Sequence, residues 1–381
     1  MNVLMISIGD SILSNPTGDS LDRQKNYADA LGYIDMIVFS HKKHNLNEKH
    51  LNNLSIYPTR SLSMLTFVYD VIKIAKDIIK NKKIDVITTQ DPFGTALAGY
   101  LLKKKYNIPL HIQNHSSFLD NKIWISEKPL MFNFFNKLAH FTIPRADRLR
   151  VVNTEEKKKY IDILQIDSDK IDIAPVPVNI EFWQQNPTKQ EIDIFLNKYN
   201  IDQEKIVLFW AGRAVEVKNF PYLFKSVSLI KRKKDILFCI AGDMKNSFWN
   251  LNDLENKYDL KPIYLGLLTH QELKVMYYLT DLYLHTSDYE GFGLVVSDAQ
   301  ASGRVVVSRS TAGTKDIIDD YKSGYLVQGD EIEFSKKVLS LLSNDVELQG
   351  MIGYTRDMVQ NKFDQNTMFT KIINSICKTG K

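Results

Sequence analysis

The sequence predicts an α/β protein made of two doubly wound parallel-sheet units in series. Three observations carry that reading. Short Val/Ile/Leu-rich runs alternate with longer segments of helical period, the pattern of parallel strands covered by helices. The alternation stops between residues 184 and 204, in a polar stretch rich in Asn and Gln, and then restarts. At 381 residues the chain is also longer than one hydrophobic core usually supports.

In the first half the strand candidates are 3–8, 34–39, 85–89, 110–113, 148–152 and 170–174, with helical patterns over 62–81 and 95–106. In the second half they are 206–211, 236–241, 263–266, 282–285, 305–308 and 324–327. From about Asp330 onward the chain reads as helices alone. The expected division is an N-terminal domain over 1–190, a C-terminal domain over 191–355, and a last helix over 356–381 packing back on the N-terminal domain. In open α/β sheets ligands bind beyond the carboxyl ends of the strands, so two such units facing each other form a cleft between them. Residues just after strands are the ones to examine.

Composition narrows the class. With 44% hydrophobic and 25% charged residues the chain reads as soluble and globular. Its two cysteines, Cys239 and Cys377, offer neither a disulfide framework nor a metal knuckle, which points to a reducing, cytoplasmic setting. "MNVLMISIGD" reads as a first strand rather than a signal peptide, and no run reaches the roughly 18 apolar residues of a membrane span. Net charge is +4, unevenly spread: residues 1–150 carry 20 Lys and Arg against 13 Asp and Glu. Nothing in this balance calls for a nucleic-acid partner. Most of the excess lies in 101–150, beside the aromatic run "PLMFNFFNKLAHF" at 129–141. That run is either a core helix with a solvated basic edge, or a surface helix that sits on anionic lipid or holds a lipid-linked acceptor.

Candidate chemistry follows the strands. "FWAGRAVEVKNF" ends a strand at Gly212 and offers Arg213 and Lys218 before a helix near Asn219. Two cations beside a helix N-terminus suit a diphosphate. "LHTSDYEGFGLVVSDAQASG" is stronger, because Gly291 and Gly293 let backbone N–H groups approach a ligand before a helix through 294–301. Glu290 precedes that helix, and Asp298 lies one turn after Leu294 on the same face. On one helix, eight residues at about 1.5 Å rise separate two acids by about 12 Å, beyond the roughly 5–9.5 Å of a hydrolase pair. Two separate grips on sugar hydroxyls fit better than one shared acid–base step. "GFGLVVS" gives G-x-G-x-x-S, but the next strand ends "RVVVSRS", where a dinucleotide-binding fold needs an acid. In the first half, His115 ends a buried strand in "PLHIQNHSSF", and Gly18 lies in a polar loop before a helix from about Ser20, a possible phosphate or acceptor contact. Asp91 and Pro92 read as turn and cap, and "DSD" at 167–169 as a loop and cap rather than a metal site.

Together, G-R-x4-K-N (212–219), I-A-G-D (240–243), Y-L-G (264–266) and E-G-F-G-L-V-x2-D-A-x-A-S-G (290–303) resemble the retaining GT-B glycosyltransferases of family 4. "QNHSSF", "RADRLRVVN" and "PVPVNIEFW" extend the resemblance over nearly the whole chain. It implies the GT-B fold and sugar transfer from a nucleoside-diphosphate donor to a glycan or lipid-linked glycan acceptor, with retention and without a metal or other cofactor. It implies that Arg213 and Lys218 neutralise the leaving diphosphate and that Glu290 holds hydroxyls of the donor sugar. Gly291, Phe292, Gly293 and Leu294 would face the phosphate or sugar, and Gly212 would open the loop. Asp298 would hold the ribose, Gly266 would line the base, and His115 would approach the donor sugar. The family usually has Glu where this chain has Asp298, and its N-terminal Gly-Gly loop is replaced by "NPTGDSLD". Alternatives in the same fold are a nucleotide-sugar epimerase or a sucrose- or glycogen-type synthase; in another class, a non-catalytic nucleotide-sugar binder. The expected location is the cytoplasm, peripheral to the inner face of the membrane if the basic helix docks there.

Overall fold

The computed structural model describes residues 1–9, 11–14 and 19–380. They form two compact units, Met1–Pro175 with Phe369–Lys381, and Val176–Met368. The division thus falls at Pro175 rather than at residue 190. Its cause is the helix Ile180–Gln184, which packs on the helices Leu294–Ala301 and Asp345–Phe363 of the second unit. The C-terminal segment divides too: Asp345–Phe363 stays with the second unit, and only the residues from Phe369 join the first.

The first unit holds strands β1 (Asn2–Ser7), β2 (Tyr33–Val38), β3 (Lys49–Leu51), β4 (Leu54–Pro58), β5 (Val86–Thr89), β6 (Leu110–Gln113), β7 (Arg148–Val151) and β8 (Ile171–Ile173). They lie in the order β3-β4-β2-β1-β5-β6-β7-β8, all pairs parallel except the β3–β4 hairpin. That hairpin has no counterpart in the sequence reading. β4 is five residues long and flanked by the Asn-, Lys- and His-rich stretch 42–53, so its short apolar run gives no readable period. Alternation along β1 fills two cores: Val3 and Met5 pack on one face of the sheet, Leu4 and Ile6 on the other with Phe67, Val71 and Ala75.

The C-terminal helix Gln365–Thr379 supplies Ile372 and Ile376 to the first of these cores. Phe369 stacks on Tyr27 at 5.4 Å, and Ser375 bridges the buried ring of His111 (3.0 Å) and the Asp172 carboxylate (2.7 Å). Burial lowers His111 to about 3, so it stays neutral between Thr88 and Ser375.

The second unit holds β9 (Ile206–Ala211), β10 (Ile236–Ala241), β11 (Ile263–Gly266), β12 (Leu282–His285), β13 (Val305–Arg309) and β14 (Gly324–Val327), all parallel, in the order β11-β10-β9-β12-β13-β14. Counted from β9 this is the doubly wound order 3-2-1-4-5-6, with its switch point between β9 and β12. Leu208 and Trp210 face a core with Phe220, Leu223 and Phe224, while Phe209 on the opposite face meets the rings of Tyr277 (5.6 Å) and Tyr283 (5.7 Å). No helix among the described residues is long and apolar enough to cross a membrane.

Because Ile372 is fully buried, Ile372→Ala should cost the first unit about 2–5 kcal/mol. Chemical denaturation of the full chain reads this as a lower midpoint for one transition; unchanged unfolding would show that the helix does not stabilise the unit.

Candidate functional site

At the switch point of the second unit the strands diverge. β9 pairs with β10 from Ile206 to Ala211, but with β12 only at Leu208 and Phe209. The Tyr283 hydroxyl spans the opening, donating to the Ala211 carbonyl (3.0 Å). Beyond it the chain turns sharply. Gly212 and Gly242 adopt φ of +153° and +139°, and a Cβ on Gly242 would meet the Gly212 carbonyl oxygen at 1.9 Å. Only glycine lets the ends of β9 and β10 come this close. Gly266 (φ +68°) closes β11, and its carbonyl accepts the Gly242 N–H (2.8 Å).

Two loops meet over the opening, residues 212–219 after β9 and 286–293 after β12. Thr286 Oγ1 donates to the Lys218 carbonyl (2.9 Å), and the Asp288 N–H to the Val217 carbonyl (2.9 Å). Asn219, in the left-handed conformation (φ 49°), caps the helix Phe220–Lys231 by accepting the Tyr222 N–H, and its amide donates to Asp288 (2.9 Å). Asp288 also accepts from Arg309, whose guanidinium lies 4.8 Å over the Tyr222 ring.

This frame presents one ion pair. Lys218 Nζ donates to Glu290 Oε1, both side chains being largely shielded. Ser287 Oγ donates to the same oxygen (2.9 Å), and Nε2 of the fully buried His285 lies 3.4 Å from it. Burial by itself raises the Glu290 carboxyl; the Lys218 ammonium, and after it the His285 ring, overcome this and hold it well below the ordinary carboxylate range. The Glu290 carbonyl accepts the Gly313 N–H (3.2 Å), and a Cβ on Gly313 would strike the Phe292 and Gly291 carbonyls. The loop is therefore clamped from behind.

Gly293 (φ +89°) begins the helix Leu294–Ala301 without a side-chain cap. The first N–H groups of a helix have no partner inside it, so this terminus offers donors and partial positive charge next to Glu290. Asp298, one turn in, is 8% exposed. Burial pushes its carboxyl up to about 8, against which only the Trp183 indole acts. Two carboxylates eight positions apart thus have opposite character, one an anion and the other a neutral acid at neutral pH.

The comparisons with known proteins bear on the family and the fold. Residues 191–358 match the family model for glycosyl transferases group 1, and residues 25–182 that for Glycosyltransferase Family 4. The structure is similar to sucrose-phosphate synthase from Thermosynechococcus elongatus (TM-score 0.81, 14% identity, 99% of this chain and 98% of that one). It is similar also to HepE of Anabaena in complex with UDP (TM-score 0.76, 16% identity, 99% and 100%). The chain belongs to the GT-B glycosyltransferases. Among curated relatives, the phosphatidylinositol N-acetylglucosaminyltransferase GPI3 subunit of Saccharomyces cerevisiae is 23% identical over 328 residues, covering 82% of this chain and 69% of that protein.

Within this glycosyltransferase the expected residues meet different outcomes. Lys218 and Glu290 are brought together, with Gly291 and Gly293 in the same loop as Glu290 and with Gly212 and Leu294 at the loop ends; Asp298 lies one turn into the helix, beside Trp183. Arg213 is exposed and makes no side-chain ion pair among the described residues, so it stands beside the cluster and not in it. Phe292 departs from expectation: its ring is 4% exposed and meets Phe363 edge-on at 5.2 Å, leaving only its backbone for a ligand. In the first unit, His115 is an exposed side chain after β6 whose Nε2 lies 2.9 Å from Gln90 Oε1. Gly18 falls outside the described residues. Asp91 accepts the Phe93 N–H (2.7 Å) ahead of the helix Gly94–Tyr106, and Asp167 accepts the Asp169 N–H (3.1 Å), both as turn residues.

Sequence reasoning did not single out His285, Ser287, Asp288, Arg309, Gly313 or Trp183. Ser287 and Asp288 stood inside the quoted motif, between the strand and Glu290. Arg309 and Trp183 also stood inside quoted segments, "RVVVSRS" and "PVPVNIEFW", but their places at the site come only through the fold.

A carboxyl that stays protonated in the folded state contributes stability that is full below its unfolded value near 4 and is lost as pH rises toward about 8. Asp298→Asn removes that loss. Its melting temperature relative to the unmodified protein should therefore climb between pH 4 and 8; a flat difference would mean that Asp298 titrates as an ordinary carboxyl.

Proposed function

We propose that this glycosyltransferase moves a sugar from a nucleoside-diphosphate sugar to an acceptor hydroxyl on a glycan or lipid-linked glycan, with retention at the transferred carbon. The observation that carries the reading is the Lys218–Glu290 pair, set at the switch point beside the uncapped end of the helix Leu294–Ala301. Cleaving the bond from the sugar carbon to the diphosphate leaves negative charge on phosphate oxygens. Lys218, Arg213 and the N–H groups at Gly293 and Leu294 are the groups that take it up. A cation already spaced for a carboxylate oxygen is spaced for a phosphate oxygen as well. As the diphosphate engages Lys218, the Glu290 carboxylate turns to the hydroxyls of the donor sugar.

Asp298 takes the ribose. As a neutral acid it donates one hydrogen bond and accepts another, which suits a pair of vicinal hydroxyls. Gly266 borders the base. Lys218, Arg213 and the helix end fill the role of a metal ion in neutralising the diphosphate, so the reaction runs without one. HepE's complex with UDP makes UDP-sugars the first donors to assay, and the lipid acceptor named for the GPI3 subunit puts lipid-linked acceptors beside free glycans.

The assay is release of UDP from a panel of UDP-sugars with glycan and lipid acceptors, with and without EDTA. Lys218→Ala should lower kcat by about 10²- to 10³-fold, and Glu290→Gln should lower it comparably while keeping the shape of the side chain. EDTA should leave the rate unchanged, and NMR of the product should show the donor's anomeric configuration. Near-normal turnover in both variants overturns the site; a donor that raises the melting temperature without being consumed would favour a binding protein instead.

A further inference from the structure

We propose that the carboxyl ends of β6, β7 and β8 in the first unit hold a phosphoryl group between Arg150 and Arg23, and that the acceptor of the transferred sugar is a molecule carrying such a group. The acceptor assignment rests on the glycosyl-transfer reading; the phosphoryl site stands on its own residues. Arg150 projects from β7 and is 3% exposed. Its guanidinium spans the ends of both neighbouring strands. Nη1 donates to Gln113 Oε1 at the end of β6 (2.6 Å), and Nε and Nη2 donate to the Ala174 and Pro175 carbonyls just past β8 (2.7 and 3.3 Å). Every one of these partners is a neutral oxygen, and no carboxylate among the described residues pairs with it. A buried cation that lacks an anion is costly to a fold, and burial accordingly lowers the Arg150 pKa to about 10.

The acids of this region are engaged elsewhere. Asp172 is held by Arg148 (2.8 Å) and Ser375 (2.7 Å), Glu156 accepts the Asn114 amide (2.9 Å), and Asp91 accepts the Phe93 N–H (2.7 Å). The charge that faces Arg150 is instead a second cation. Arg23, exposed on the helix Asp19–Leu31, and Tyr27, one turn further on, both act on the guanidinium, and Arg150 and Arg23 together act on His115. Arg23 makes no ion pair among the described residues, while Asp22 beside it is taken by Lys25 (2.9 Å). Two facing cations call for an anion between them, and charge selects which. A phosphate monoester brings about two negative charges, one for each guanidinium, with oxygens enough for two forked donors. A carboxylate would leave one cation unmatched.

The binding test needs no turnover. Calorimetry of the full chain with inorganic phosphate, glucose 6-phosphate and glucose, at matched ionic strength, should show the two phosphates bound, the ester more tightly, and glucose not at all. Arg23→Gln should weaken both about 10- to 100-fold with an unchanged thermal unfolding curve, and Arg150→Met should abolish binding. Because Lys218 also attracts phosphate, Lys218→Ala is measured alongside and should bind glucose 6-phosphate as the unmodified chain does. Unaltered affinity in Arg23→Gln, or binding lost in Lys218→Ala, overturns the site. Inorganic phosphate bound as tightly as the ester would give the site to free phosphate and overturn the acceptor assignment. In the UDP-release assay a phosphorylated acceptor should outpace the same alcohol without its phosphate, and Arg23→Gln should erase that preference. No UDP release from any donor, with glucose 6-phosphate still bound, would sink the glycosyl-transfer reading and the acceptor assignment with it, and leave the phosphoryl site standing.

Discussion

The second unit's candidate site is organised around one shielded interaction, the ammonium of Lys218 on the carboxylate of Glu290. Each charge alone, shielded as these are, would cost several kcal/mol, so neither loop can occupy its place without the other. The residues are 72 positions apart and come from strands β9 and β12, which neighbour each other only because the winding reverses there. Everything around the pair serves its approach. Gly212 and Gly242 let two strand ends close up, Thr286 and Asp288 tie the loops through backbone bonds, and Gly313 fixes the loop from behind. A constraint of this kind explains the concentration of glycine and hydroxyl residues better than flexibility does, because each position answers a specific close contact.

The environment of the pair also separates the roles of the two acids. Glu290 has Lys218, Ser287 and His285 around one oxygen and remains ionised; Asp298 has only the Trp183 indole and holds its proton. Spacing in sequence says nothing of this difference. Eight positions along the chain place one carboxyl in a loop on the Lys218 ammonium and the other inside a helix beside the Trp183 indole, and it is the surroundings that decide the charge.

Much of this was legible beforehand. Six strands of the second unit lie where alternating runs placed them, within a residue or so, because fully buried parallel strands are continuous apolar stretches bounded by helical segments. Gly212, Lys218, Glu290 and Gly293 could be picked out since motifs after strands report local backbone needs. What stayed hidden was of two kinds. The β3–β4 hairpin is too short and too polar in its flanks for periodicity to show. Arg309, Trp183 and Gly313 act through contacts between distant segments, which no local motif reports. The outward stripe of the helix Pro129–Thr142 lies between these cases: its aromatic content was visible, but which rings face solvent is decided by where Trp124 and Phe93 pack.

Both units share one winding order about their central strands, yet the residues that follow the corresponding strands differ. After β9 and β12 stand a lysine and a glutamate; after β5, the strand of the first unit that corresponds to β12, stands Gln90, whose side chain meets His115 from the end of the next strand, β6, at 2.9 Å. The common architecture accounts for where side chains converge, at strand ends beside a reversal, and for nothing about their chemistry. The fixed charges that suit a diphosphate are therefore a property of the second unit's own loops. The first unit differs again in carrying the chain's excess of Lys and Arg, including those that flank its outward apolar helix. The two units thus differ in how their charge is arranged, one with a shielded ion pair and the other with an excess of cations. The distinction follows from burial: a shielded charge must be matched singly and at close range, while exposed charges act collectively and are weakened by salt.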